Sequence, residues 1–192
     1  MLKAVTDASP PLAERSDDAL MLLARSGVDL ALAILIRRHQ AALRSYCARV
    51  CGTALADDVA QEAFVALWRA RHEYEARGRF RAYLFALAER RALNALRSSK
   101  RQVQKHKSAQ VEEPLDPSQL DALLAEERKA RLFGLVDALP SEQRRALWLR
   151  YAAELDYAEI AEIVARPEAT VRTRVFLGLK RLRSFLHGKG EP

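Results

Sequence analysis

"DYAEIAEIVARPEATVRTRVFLGLKRLR", residues 156 to 183, reads as two helices joined by a tight turn, and the rest of the chain is best read outward from it. Asp156 followed by Glu159 makes a capping box, in which each side chain reaches the other's backbone N–H. Ile160, Ala161, Ile163 and Val164 give the short helix that follows an apolar stripe. "ARPEA" then has the length of the turn between two crossed helices. Pro167 suits a first helical turn, where its missing N–H leaves no bond unmade, and Glu168 lies where the helix dipole favours a negative charge.

The run from Pro167 to Arg183 carries five basic residues and no acid after Glu168. At about 100° per residue, Val171, Val175, Leu179, Leu182 and Leu186 share one sector, the expected buried face. Arg172, Thr173, Arg174, Phe176, Leu177 and Lys180 fall on or beside the opposite side. A surface helix rarely exposes two large apolar groups among cations. A helix in the DNA major groove has a use for them, because apolar groups touch thymine methyls while arginines reach guanine edges or phosphates. The alternatives are a basic helix solvated on one side and a helix lying on a membrane. The second conflicts with the need for its apolar stripe in closing the small domain.

Charge along the chain points the same way. The 192 residues carry a net charge of +7, and the isoelectric point is about 9.7. Residues 69 to 107 hold twelve Lys/Arg against three Glu; 108 to 127 hold six acids and no base; 166 to 189 hold seven bases and one acid. Two cationic blocks flanking an acidic stretch suit two contacts with a polyanion, nucleic acid before membrane. Few glycines and prolines among abundant Ala, Leu, Arg and Glu predict an all-α protein.

Upstream, residues 1–15 read as a disordered tail, followed by a helix over 17–26 that Gly27 stops. A second helix is expected from a cap at Asp29 to Gly52, a third from Asp57 or Asp58 to about Ala70, and a fourth from Phe80 to Ser98. These four form one bundle spanning 16–98. A polar segment with Pro114 and Pro117 reads as a flexible linker over 99–119, and a helix-turn-helix domain over 120–187 follows. In the third helix Ala60, Ala63, Phe64 and Leu67 share a face. Asp58, Gln61, Glu62, Val65 and Arg69 lie opposite, with Trp68 at the edge, which suits either a protein partner or a solvated surface.

Cys47 and Cys51, four apart in a helical pattern, are expected to be buried, reduced thiols. The N-terminus has no apolar leader, and no segment reaches the about 18 apolar residues of a membrane span, so a cytoplasmic protein without membrane insertion is expected. No phosphate loop or nucleophile elbow occurs, "HEYEA" lacks the second histidine of a zinc-protease motif, and His39, His106 and His187 are scattered. Asp57, Asp58 and Glu62 serve capping and docking better than a cation. Neither enzyme chemistry, nor a metal, nor a cofactor is expected.

Taken together, "SDDALMLLARSGVDLALAILIRRH", "DDVAQEAFVALWR", "GRFRAYLFALAERRALNALR" and "ALPSEQRRALWLRYAAELDYAEIAEIVARPEATVRTRV" resemble the extracytoplasmic-function (ECF) sigma factors, the small two-domain members of the main bacterial sigma family. The resemblance covers about 16–98 and 120–186. It implies a transcription initiation factor that binds core RNA polymerase and promoter DNA and that an anti-sigma factor restrains. By that resemblance Asp58, Gln61, Glu62, Val65 and Trp68 match the surface that docks on polymerase. Arg77 and Arg79 with Arg90, Arg91, Asn94 and Arg97 match the part that meets the melted minus-ten element, with Tyr74, Phe80 and Tyr83 as candidate stacking groups, core packing being the better reading of Phe80 and Tyr83. The linker would thread toward the polymerase active centre. Arg172, Thr173, Arg174, Phe176 and Lys180 would read the minus-thirty-five element. Glu89 and Arg90 stand where the family often has Arg-Asn, Asn94 where Asp is usual, Leu177 at an often basic position, and Ala165 and Ala169 in place of common glycines. A promoter preference of its own is therefore expected. A stand-alone helix-turn-helix regulator would share the C-terminal features but has no need of the cationic block at 69–107.

Overall fold

The computed structural model describes residues 11–103 and 132–187, with the backbone alone over 99–103; every regular element among them is helical. The first lobe holds α1 (Asp17–Arg25), α2 (Asp29–Cys51), α3 (Thr53–Arg69) and α4 (Phe80–Val103). The second holds α5, helical over 132–137, then α6 (Ser141–Tyr151), α7 (Tyr157–Val164) and α8 (Glu168–Leu186).

Ser16 caps α1 by accepting the Ala19 N–H at 3.3 Å. Leu20, Met21 and Ala24 then face inward, against Leu35, Leu43, Tyr46 and Cys47 of α2 and Ala63 and Leu67 of α3. From α4, Phe80, Leu84, Phe85, Ala88 and Ala92 complete that core. The expected tail is tied down at its end. Residues Leu12–Glu14 make a single 3₁₀ turn, and the Arg38 guanidinium donates to the carbonyls of Ala13 (2.6 Å) and Arg15 (2.9 Å) and to Asp17 Oδ1 (2.6 Å). On the other Asp17 oxygen sits buried His39 at 2.7 Å. Burial works to raise the Asp17 carboxyl, but the hydrogen bonds from His39 and Arg38 prevail and hold it below its ordinary value.

Three boundaries differ from expectation. Asp29 does not cap α2; it is the first helical residue after Val28, and Val28 offers no capping side chain. α3 begins at Thr53, so Asp57 and Asp58 lie within the helix, and Asp57 instead meets Arg44 across the α2–α3 pair, Nη2 to Oδ2 at 3.2 Å. Gly52 explains the early start. At φ +91° it takes a backbone that side-chain-bearing residues avoid, turning the chain from α2 into α3 within one residue. α4 runs on to Val103, five residues past Ser98, because "SSKRQV" contains nothing that breaks a helix. The rest of the expected linker and the restart near Leu120 lie outside the described residues.

The second lobe has a smaller core of Leu139, Ala146, Leu147, Val175 and Leu182. α6 and α8 cross closely at Gly178, where an added Cβ would stand 2.9 Å from Leu147 Cδ1 and 3.3 Å from Leu147 Cγ. The turn between α7 and α8 runs through Ala165 in the left-handed conformation (φ 50°, ψ 52°), which an alanine adopts only at a cost of roughly 1–2 kcal/mol. The lobes are not separate bodies. Leu149, Ala153, Leu155, Ile160 and Val171 belong to the same apolar cluster as the first lobe's core, and α7 packs on α4 while α6 packs on α2.

Two substitutions should shift stability in opposite directions. Ala165→Gly relieves the left-handed strain and is expected to gain about 0.5–1 kcal/mol in urea unfolding. Gly178→Val drives a branched side chain into Leu147 and is expected to lose about 2 kcal/mol or more.

Candidate nucleic-acid interface

Three surfaces carry the residues singled out in the sequence. On the second lobe, the capping box forms as read: Glu159 N–H donates to Asp156 Oδ1 at 2.7 Å and Asp156 N–H to Glu159 Oε2 at 2.9 Å. That fixes the start of α7. Ala165 and Pro167, the latter standing just ahead of α8 as its N-cap, fix the entry to α8.

Val171, Val175 and Leu182 of α8 are buried, and Arg172, Thr173, Phe176, Leu177 and Lys180 are exposed, Phe176 at 65%. Arg172 is held in place. It donates from Nε to Glu168 Oε1 at 2.9 Å and lies 4.4 Å from the centroid of the Tyr157 ring. Thr173 is satisfied locally, its hydroxyl donating to the Ala169 carbonyl at 2.9 Å.

Arg174 departs from the expected arrangement: it is only half-exposed and pairs with Glu142 of α6, so it braces two helices instead of standing free. Leu179 and Leu186 also depart, being exposed at 42% and 56%. Gly178 lets α6 take the place beneath the helix that a wider stripe would have filled. Leu179 therefore edges an apolar groove of about 390 Å³ with Leu132, Val136, Trp148 and Tyr151. An i, i+4 pattern alone cannot tell a groove rim from a core.

The second surface is built by α1, the 70–79 loop and α4. Asp18 Oδ1 accepts both the Tyr74 hydroxyl (2.8 Å) and the Gly78 N–H (3.0 Å), pinning the loop so that Arg77 and Arg79 are exposed on either side of Gly78. These two arginines, with Arg90, Asn94 and Arg97, line one cleft of about 730 Å³. Arg97 donates to Asn94 Oδ1 at 3.3 Å. Arg91 is apart from them, half-buried and turned back onto the Leu87 carbonyl at 3.0 Å.

Of the aromatic candidates, Tyr74 and Phe80 are core residues, 4% and 2% exposed. Tyr74 is buried because its hydroxyl has Asp18 as an acceptor. Tyr83 is half-buried and lines the cleft; burial, and then Glu73 nearby, push its phenol up.

Apart from Glu89, the carboxylates of this cleft were not singled out in the sequence for this surface. Glu73, Glu75, Glu89, Glu159 and Glu162 line the same cleft. Glu89 is 3% exposed; the Tyr46 hydroxyl donates to its Oε2 at 2.5 Å, and Arg145 of the second lobe pairs with Oε1. Burial keeps Tyr46 protonated well above the usual phenol range, so it remains a donor. The only sequence signal was the oddity of an acid inside a cationic helix.

The third surface is α3. Asp58, Gln61, Glu62, Val65 and Arg69 are exposed together, while Trp68 is half-buried with the Arg71 guanidinium 3.8 Å from its ring centroid. The stripe read from the sequence is thus one continuous face.

The chain is similar to known proteins along most of its length. Residues 35–102 match the family model "Sigma-70 region 2" and residues 129–182 match "Sigma-70, region 4". The ECF RNA polymerase sigma-E factor of Escherichia coli K12 is 29% identical over 188 residues, spanning 92% of this chain and 95% of that protein. The ECF RNA polymerase sigma factor SigK of Mycolicibacterium vanbaalenii is 31% identical over 134 residues, 68% of each chain. This chain belongs to the ECF sigma factor family. It is a sigma factor of transcription initiation, and the stand-alone regulator is not favoured. The fold agrees: CnrH, solved with the cytosolic domain of CnrY, superposes with a TM-score of 0.64 at 23% identity, covering 91% of this chain and 99% of CnrH. The sigma factor RpoE from Bartonella quintana, solved with the anti-sigma factor NepR, gives 0.64 at 21% identity over 79% of this chain and 94% of that one.

Among the described residues no helix is long and apolar enough to cross a membrane. Cys47 and Cys51 are free and buried in α2, burial pushing the Cys47 thiol up to about 12 and raising Cys51 as well. In this sigma factor neither thiol is expected to react with a disulfide reagent at pH 8 while folded, and both should react at once in denaturant. A fast phase in the native protein would contradict that burial.

Proposed function

We propose that this sigma factor captures core RNA polymerase through the α3 face, holds the melted minus-ten strand in the arginine cleft of the first lobe, and reads the minus-thirty-five duplex with the exposed face of α8. The observation that carries the reading is the pair of arginine-bearing surfaces, one on each lobe. One is a cleft with Tyr83 in its wall, suited to an unpaired strand. The other is a convex helix suited to a major groove. The protein makes no covalent bond in this scheme; its work is to bind and to separate strands. The acid Glu89 and the neutral Asn94 in the cleft give it a minus-ten preference of its own.

For the duplex contact, the exposed Arg172, oriented by Glu168 and Tyr157, and the exposed Lys180 supply the positive charge, with Phe176 and Thr173 for base edges. Arg174 contributes by holding α8 against α6 through Glu142. For the polymerase contact, Val65 is the apolar centre and Asp58, Gln61 and Glu62 the polar rim. Trp68 supports that face from its edge. By analogy with the solved complexes of CnrH with CnrY and of RpoE with NepR, a protein inhibitor is proposed for this chain too.

Transcription in vitro with core polymerase tests both contacts. Arg172→Glu is expected to cost roughly 1–3 kcal/mol of promoter affinity and to flatten its salt dependence by about one unit, with polymerase binding unchanged. Unchanged transcription would refute the groove assignment. Gln61→Lys with Glu62→Lys should instead weaken capture of core polymerase in a pull-down, and an unaffected pull-down removes α3 from the docking surface. A regulator acting without polymerase would bind its duplex alone, an outcome the same preparations reveal.

A further inference from the structure

The outward face of α8 holds more apolar surface than the fold uses. Phe176 is 65% exposed and Leu177 40%, and neither belongs to the apolar core of either lobe. The helix is seated without them, through buried Val171, Val175 and Leu182 and the close approach of Gly178 to Leu147. Leu179, the next exposed leucine, lines the groove with Trp148 and Tyr151, whereas Phe176 and Leu177 do not. Two neighbouring large apolar groups left in water mark a surface that something covers.

The polar groups around them are largely engaged already. The Thr173 hydroxyl donates to the Ala169 carbonyl at 2.9 Å, so its methyl group and lone pairs are what remain for a ligand. Arg172 gives Nε and Nη2 to Glu168 Oε1, at 2.9 and 2.5 Å, and Arg174 is turned to Glu142. A helix built to read guanine would hold its arginine donor edges outward. What this one presents is chiefly carbon, beside the positive charge of Arg172 and Lys180. That charge suits a polyanion better than an apolar protein face. On the base edges of the DNA major groove the apolar group is the C5-methyl of thymine.

We propose that Phe176 and Leu177 recognise thymine through its C5-methyl group, and that Leu177 is a specificity-determining residue of this chain at a position the family often fills with a cation. This rests on the assignment of α8 to the minus-thirty-five duplex. The two side chains are successive on the helix, about 100° apart, so they face neighbouring base pairs. Thymine at either pair, in whichever strand lies nearer, buries its methyl against them. Arg172 and Lys180 hold the helix on the phosphates, a contact that fixes register and carries no sequence information. Discrimination is therefore a contact between carbon groups, and its size does not vary with salt as the phosphate contacts do.

The test removes the methyl and nothing else. Holoenzyme assembled from the full chain and core polymerase selects from a randomised duplex library made once with thymine and once with uracil, which pairs identically but lacks the C5-methyl. Thymine is expected to be enriched in the upstream element of the first library, and uracil not to be enriched at the same positions of the second. In a selected duplex, each such thymine replaced by uracil should weaken binding about threefold to fivefold, the worth of one buried methyl, at low and high salt alike. Phe176→Ala and Leu177→Ala should each make binding indifferent to one of those replacements. Leu177→Arg should exchange the thymine it faces for guanine. Identical upstream motifs in the two libraries overturn the proposal, and so does uracil sensitivity that survives both alanine variants. Alanine variants that lose polymerase capture while the upstream motif stays unchanged overturn it too, by showing that the patch docks a protein. Arg172→Glu with Lys180→Glu separates the remaining failures. If that pair erases the upstream motif while uracil has no effect, α8 reads the duplex but not through methyl groups. If the motif survives it, the assignment of α8 falls and takes the methyl contacts with it.

Discussion

A buried carboxylate is costly without a countercharge, and in this protein the countercharge for Glu89 comes from the opposite lobe. Arg145 reaches across to it while Tyr46 donates from beneath. Much else in the arrangement is arranged around that contact. Around it α6 packs on α2 and α7 on α4, and Leu149, Leu155 and Ile160 join the first lobe's core.

The two lobes are built by different means. The first is a four-helix bundle with a large apolar core, and apart from Glu89 its polar interior groups are paired within it: His39 with Asp17, Tyr74 with Asp18. Those pairs fix the loop that carries Arg77 and Arg79, so a surface with a proposed task in DNA binding is set by hydrogen bonds beneath it. The second lobe is small, and it obtains its geometry from close approach. Gly178 allows α8 to cross α6 tightly, and Ala165 accepts a left-handed backbone to aim α8 outward. Its own core is too limited to bury everything apolar, which is why Leu179 and Tyr151 remain at a groove and why Leu155 and Ile160 turn to the first lobe.

Helix existence, the helix-turn-helix and the exposed stripe of α3 were legible, because each depends on residues three or four apart. The capping box of Asp156 and Glu159 and the outward set Arg172, Thr173, Phe176 and Lys180 needed nothing more distant. Helix starts were read less well. An aspartate before an apolar run signals a cap only if the backbone there is extended, and at Asp29 and Asp57 it is already helical. Tyr74 and Arg174 were misplaced for a related reason: each has a partner, Asp18 or Glu142, more than thirty residues away in sequence.

Sequence alone determined the helical class, the turn into α8, the two blocks of positive charge and the family to which they point, since periodicity, capping and composition act over short distances along the chain. Only the tertiary structure decided which charges are free. Arg81, Glu89 and Arg174, like Arg79 just before α4, read as ordinary charged positions in the sequence, yet each is engaged by a residue from a distant element. Electrostatic pairing depends on separation in space, and the packing of the two lobes is what sets it.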